Sequence, residues 1–166
     1  MREQLTKKDV ERIEAEIEHR KLVVRKEALE AVKEARAHGD LSENFEYHAA
    51  KKDKNKNESR IRYLERMLRT AEIISEESAA DEVGLNNTVT LYFEEDDECE
   101  EFRLVTSIRG NSLKNMISIE SPLGKAVYGK KVGERVLVPM GDGGYYVEVR
   151  EIKNTGDDGS DTIRSY

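Results

Sequence analysis

The sequence predicts an α+β protein of two domains, an antiparallel helical hairpin followed by a small domain with a mainly antiparallel sheet. Three observations carry this expectation. Between Thr6 and Ser75 there is no proline and a single glycine, Gly39, in a stretch rich in the good helix formers Glu, Lys, Arg, Ala and Leu. After Ala80 the pattern changes to short β-branched and aromatic runs separated by glycine and polar turns. The 166 residues are 37% hydrophobic and 38% charged, a poor balance for one deep core and a good one for an elongated helical part joined to a small domain. The expected divisions are a hairpin over 1–77, a linker over 78–84, the sheet domain over 85–153 and a disordered, polar tail over 154–166.

Gly39 halves the helical stretch, and one helix breaker within so long a run implies two antiparallel arms joined by a tight turn. In the second arm Tyr47, Ala50, Lys54, Asn57, Ile61, Leu64, Leu68 and Ala71 alternate spacings of three and four, the stripe of a coiled coil. The first arm answers with Val10, Ile13, Ile17, Val24, Ala28, Ala31 and Ala35. Lys54 and Asn57 are polar positions on this seam, which cost stability and can fix register. Arms of roughly 30 residues at ~1.5 Å rise make a rod of about 45 Å.

Strands are expected at 88–93, 102–107, 116–119, 136–139 and 145–152. The acidic stretch 94–101 follows the first of them, Gly141-Asp142-Gly143-Gly144 suits a hairpin loop, and 122–132 suits a short helix or turn.

Composition also bounds function. The lone Cys99 excludes an intramolecular disulfide and a cysteine metal cage, and no apolar run is long enough for a signal peptide or a membrane span. A soluble cytoplasmic protein with no membrane partner is expected. Residues 1–80 hold 18 Lys/Arg and 18 Asp/Glu, so the net charge of −7 resides in 81–166. Phosphates would be repelled by the molecule as a whole, and any nucleic-acid contact must be local. The local candidate is 51–69, with 8 basic residues against 3 acidic ones.

Two features carry candidate chemistry. Asp40 and Glu43, in Gly39-Asp40-Leu41-Ser42-Glu43-Asn44, have the spacing of a capping box, which accounts for both acids without any function. They are equally two hard oxygen ligands converging at one turn, half of a Mg²⁺ site that another macromolecule would complete. Behind them, Lys51, Lys52, Lys54, Lys56 and Arg60, continuing to Arg62, Arg66 and Arg69, form either a solvated helix face or a groove tracking a nucleic-acid backbone. His38 and His48 flank the turn at a spacing that matches no metal motif.

The run from Glu34 to Lys51, EARAHGDLSENFEYHAAK, closely resembles the signature of the bacterial Gre transcript cleavage factors, GreA-like transcription elongation factors. A second run, Ser118 to Glu134, SIESPLGKAVYGKKVGE, resembles the same family in its other domain, and the likeness spans about residues 5–152. The resemblance implies a coiled coil inserted through the secondary channel of RNA polymerase and an FKBP-like C-terminal domain at the channel rim. It implies a non-enzyme, a monomer, that stimulates the polymerase's own cleavage of backtracked nascent RNA. Asp40 and Glu43 match the paired tip acids thought to help hold a second Mg²⁺ and its attacking water, with no cofactor bound by the protein alone. Lys51–Arg60 corresponds loosely to the family's RNA-contacting patch, and Ser121, Pro122, Leu123 and Gly124 match its docking turn. Some relatives inhibit polymerase without stimulating cleavage, which is the alternative function.

Overall fold

The computed structural model describes residues 2–39 and 44–164. The chain divides into two compact units, one built on Asp9–Glu72 and the other on Ile73 onward together with Gln4–Lys8.

The first unit is the expected hairpin. Its first arm comprises helices α1 (Lys7–His19) and α2 (Arg25–Ala37), joined without a break by a π-helical turn, Arg20–Val24. Its second arm is one helix, α3 (Phe45–Thr70). The seam buries Ile13, Ile17 and Ala35 against Asn57, Ile61 and Leu64. Each large aliphatic side chain so removed from water contributes roughly 1.5–3 kcal/mol. Ala31 is exposed where the seam was expected to continue, and Val32 is half-buried beside it. Beyond the π turn Ala28 and Ala35 keep their seam positions, half-buried and buried, so the departure is confined to Ala31.

The polar seam position Asn57 is what meets that turn. The Arg20 carbonyl accepts the Arg25 N–H five residues on, and Asn57 Nδ2 donates to the same oxygen across the hairpin at 3.3 Å. Asn57 Oδ1 in turn accepts from Arg20 Nη1 at 2.9 Å. Glu16 joins the cluster, accepting from Arg20 Nε at 2.7 Å and from Arg60 at 2.9 and 3.2 Å. Burial pushes the Glu16 carboxyl up, but the hydrogen bonds and charges of Arg60 and Arg20 outweigh it and hold the group below its ordinary value of 4.5. A carboxylate depressed in the folded state contributes stability that is complete above the unfolded value and is lost as pH falls through the folded one. The melting temperature of the hairpin should therefore drop as pH is lowered below 4.5. In Glu16→Gln that part of the pH dependence should vanish, and a profile identical to that of the parent chain would refute the assignment.

The second unit carries a five-stranded sheet. Its strands are β3 (Thr88–Phe93), β4 (Glu98–Val105), β5 (Met116–Ser118), β6 (Arg135–Met140) and β7 (Gly143–Lys153), following two short pieces near the hairpin base, β1 (Gln4–Leu5) and β2 (Glu72–Ile73). The sheet order is β5-β4-β3-β7-β6, antiparallel except for the parallel β4–β5 pair. Val89, Leu91, Leu104, Val138, Val147 and Val149 bury one face, and α4 (Pro122–Val127) covers them with Val127. Gly141, at φ +61°, opens the two-residue turn between β6 and β7, where a positive φ at the first position matches the strand twist.

Two segments depart from expectation. β4 starts at Glu98, inside the acidic stretch expected to connect strands. Glu98–Glu101 pairs only with β3 and is exposed on both faces, so no apolar alternation marks it, and its charges blunt an open edge. Residues 154–164, expected as a disordered tail, instead pack against the unit. Arg109 is 1% exposed and donates to Asn86 Oδ1 at 2.7 Å and to Asp161 Oδ2 at 3.1 Å. Asp157, 4% exposed, lies beside it, and Asp161 also takes two bonds from Arg103 at 2.8 and 2.9 Å. A buried guanidinium requires carboxylates, and here the tail supplies them.

Candidate functional site

The hairpin tip is framed by two helix ends. α2 stops at Ala37, and the Gly39 N–H bonds the Arg36 carbonyl at 3.0 Å. Gly39 sits at φ +132°, a conformation that strains any L side chain. Asp40 and Glu43, the two candidate metal-binding acids, lie outside the described residues, as do Leu41 and Ser42.

Asn44 follows them and caps α3. Its Oδ1 accepts the Tyr47 N–H at 3.1 Å, and its Nδ2 donates to the Ala35 carbonyl at 3.0 Å and to that of Gly39. One side chain thus closes the second arm and holds the last carbonyls of the first. Sequence reasoning missed it, although an Asn directly before a helical run is an N-cap signal. Asn44→Ala should cost about 1 kcal/mol for the cap alone. Hydrogen exchange should accelerate at both Tyr47 and Gly39, and unchanged protection at Gly39 would mean that the cross-arm bond contributes nothing.

Further contacts tie the arms near the tip. Arg36 Nη2 donates to Tyr47 Oη at 3.0 Å, and its guanidinium lies 5.3 Å from the ring centroid. His38 Nδ1 meets Glu46 Oε2 at 2.9 Å, and that hydrogen bond, with the Glu46 charge, raises the imidazole above its ordinary 6.5. The pair favours the folded tip at pH below 6.5 and loses effect as pH rises through the folded value. Phe45 beside it is 80% exposed.

The basic stretch sorts into three groups. Lys51, Lys52, Lys56, Arg62, Arg66 and Arg69 are exposed. At about 100° per residue they fall on one face of α3, roughly 140° wide. Lys54 is half-buried on the seam side. Arg60 is 6% exposed and bonded to Glu16, so it is not available to RNA in this arrangement. Its position in a run of cations conceals its burial; the sign that it belongs to the interior is its spacing of three or four from Asn57 and Leu64.

The expected docking turn opens α4. Ser121 is its N-cap, accepting the Gly124 N–H at 3.1 Å and donating to the Ser118 carbonyl at 2.6 Å, with Pro122 in the first turn. Pro122 is exposed, Ser121 and Leu123 are half-buried, and Gly124 is buried. A Cβ on Gly124 would lie 1.9 Å from the Ser118 carbonyl oxygen. Gly124 therefore permits the turn by its lack of a side chain, and Lys125 and Tyr128 are exposed beside Pro122. Gly124→Ala should destabilise the second unit by about 1–3 kcal/mol, because backbone must move. Its denaturation midpoint would stay at the parent value only if that backbone shifted freely.

Among the described residues no cluster of three or more His, Cys, Asp or Glu comes together to hold a metal ion, and no helix is long and apolar enough to cross a membrane. Two family models match the chain: residues 3–73 match "Transcription elongation factor, N-terminal" and residues 77–154 match "Transcription elongation factor, GreA/GreB, C-term". The chain is 43% identical over 150 residues to transcription elongation factor GreA of Caldanaerobacter subterraneus subsp. tengcongensis, covering 90% of this chain and 96% of that protein. It is 39% identical over 152 residues to transcription elongation factor GreA of Streptococcus pneumoniae, covering 91% and 95%. Among solved structures, the GreA factor homolog 1 protein of Thermus thermophilus shares 29% identity over 93% of this chain and 100% of its own, with a TM-score of 0.43.

Proposed function

Because the chain belongs to the GreA/GreB family of transcription elongation factors, we propose that it binds bacterial RNA polymerase and stimulates the polymerase's own cleavage of backtracked nascent RNA. The observation that supports this most is that both family models match in order along one chain, with Asp40 and Glu43 falling in sequence between two helical arms joined by the Asn44–Ala35 and Arg36–Tyr47 bonds. In this reading the protein is not a catalyst alone. Its hairpin tip enters the polymerase and completes a site there.

Each part has a physical task. Asp40 and Glu43 supply carboxylate oxygens, which are hard ligands of the kind Mg²⁺ takes. Two carboxylates alone are too few ligands for a tightly held Mg²⁺, so Asp40 and Glu43 would hold the ion only with further ligands from polymerase. Bound there, the ion would supply an acidified water and neutralise phosphate charge. Gly39 and Asn44, on either side of the two acids in sequence, are each held to the first arm by hydrogen bonds. Lys51, Lys52 and Lys56 face solvent on the arm behind them and suit contact with the extruded RNA backbone. Pro122, with the exposed Lys125 and Tyr128, offers the second unit's docking contact.

The test is transcript cleavage by stalled, backtracked polymerase with and without the chain. Release of short 3′ fragments above the intrinsic rate is expected. Inhibited nucleotide addition with no added cleavage would replace this reading with that of a channel-binding inhibitor.

A further inference from the structure

We propose that the groove beside the π turn of the first arm docks a cationic amphipathic helix of a partner protein. An α-helix returns its apolar residues to one stripe, and a π turn breaks that return. Leu22, at 65% exposure, and Val23, at 40%, lie off the seam within the π turn, on an arm whose seam residues Ile13 and Ile17 are buried. Leu22 forms, with Ile17 and Leu68 of the facing arm, the floor of a groove of about 440 Å³. The turn is also held from across the hairpin, since Asn57 Nδ2 donates to the Arg20 carbonyl that accepts the Arg25 N–H. Single π turns of this kind recur at functional sites.

The rim says what kind of occupant fits. Glu14 and Glu18 line one side and make no ion pair among the described residues. Glu65 on the other side is held by Lys21 at 2.6 Å. Three acids against one base leave the rim at −2 around an apolar floor. Nucleic acid is repelled by such a rim. A second copy of the chain is a poor fit, because the exposed basic face of α3 has its apolar residues turned into the hairpin seam. A helix with an apolar stripe flanked by Lys or Arg matches both floor and rim, the stripe entering with anchors one turn apart.

The inference stands apart from the polymerase reading and is tested without polymerase. The probe is a synthetic amphipathic helix with a Leu stripe flanked by Lys, titrated into the full chain by calorimetry and by amide chemical shifts, beside the same helix with Glu in place of Lys. Binding of the Lys helix is expected, with shifts centred on Ile17, Leu22 and Leu68. Leu22→Asp should weaken it by about tenfold or more, as should Glu14→Lys with Glu18→Lys. Phe45→Ala, an exposed apolar residue elsewhere on the hairpin, should leave affinity unchanged. All these positions are exposed, so the variants should melt with the parent chain. No binding, equal binding of the Glu helix, undiminished binding to Leu22→Asp, or shifts centred on the acidic Glu94–Glu101 stretch would each overturn the proposal.

Discussion

Alanine at both Asp40 and Glu43 is expected to lower stimulated transcript cleavage by on the order of 10²–10³-fold, the scale seen when a preorganised group facing developing charge is removed. Binding to polymerase and melting of the hairpin should hardly change. The reason lies in the flanking groups. The first arm is closed by the Gly39 N–H on the Arg36 carbonyl, and the second by Asn44 on the Tyr47 N–H. Neither closure uses the two acids, so their loss should not open the arms. Cleavage by backtracked polymerase, a binding titration and a thermal melt separate the outcomes. Retained stimulation would remove the metal-sharing mechanism; a fall in melting temperature together with activity would instead make the acids structural, as a capping box.

Removing the tail after Lys153 is expected to destabilise the second unit by about 3–5 kcal/mol, a large part of the stability of a small domain. The truncation takes away Asp157 and Asp161 while Arg109 stays buried beside Asn86 and Thr106. An uncompensated interior charge costs far more than the pair itself contributes. Denaturant titration, with hydrogen exchange read on β3 and β4, measures the loss. Arg109→Met in the truncated chain should recover part of it, since the unpaired charge is then gone. Unchanged stability after truncation would show that the tail does not compensate Arg109 at all.

Both domains were legible in the sequence because apolar spacing reports burial. Ile61, Leu64 and Asn57 follow the three-four alternation and are buried as it predicts; Val89 and Leu91 alternate with Thr90 on β3 in the same way. What remained hidden is polar. Glu16 and Arg60 look like surface residues in a chain where more than a third of residues are charged, and only the facing arm reveals them as a pair. Asp157 and Asp161 lie in a segment whose composition suits a free tail, and their partner Arg109 is some fifty residues away. The π turn is hidden for another reason: Lys21-Leu22-Val23-Val24 is compatible with an ordinary helix, and the choice is made by Asn57 across the hairpin. The candidate site was legible as motif, in Asp40, Glu43 and the Lys51–Lys56 run, but not as support, since Asn44 was overshadowed by the capping pattern of Asp40 and Glu43 just before it.

The π turn at Arg20–Val24 also bears on how this arm tolerates change in length. Losing a residue from an ordinary α-helix rotates everything beyond it by about 100° and draws it in by ~1.5 Å. The first arm holds one residue more than an α-helical path between its base and its tip requires, stored in a single wide turn. A one-residue deletion there can be absorbed by tightening that turn, with α1 and α2 keeping their facing positions on α3. The hairpin therefore has a place where its sequence can shorten while its reach stays the same.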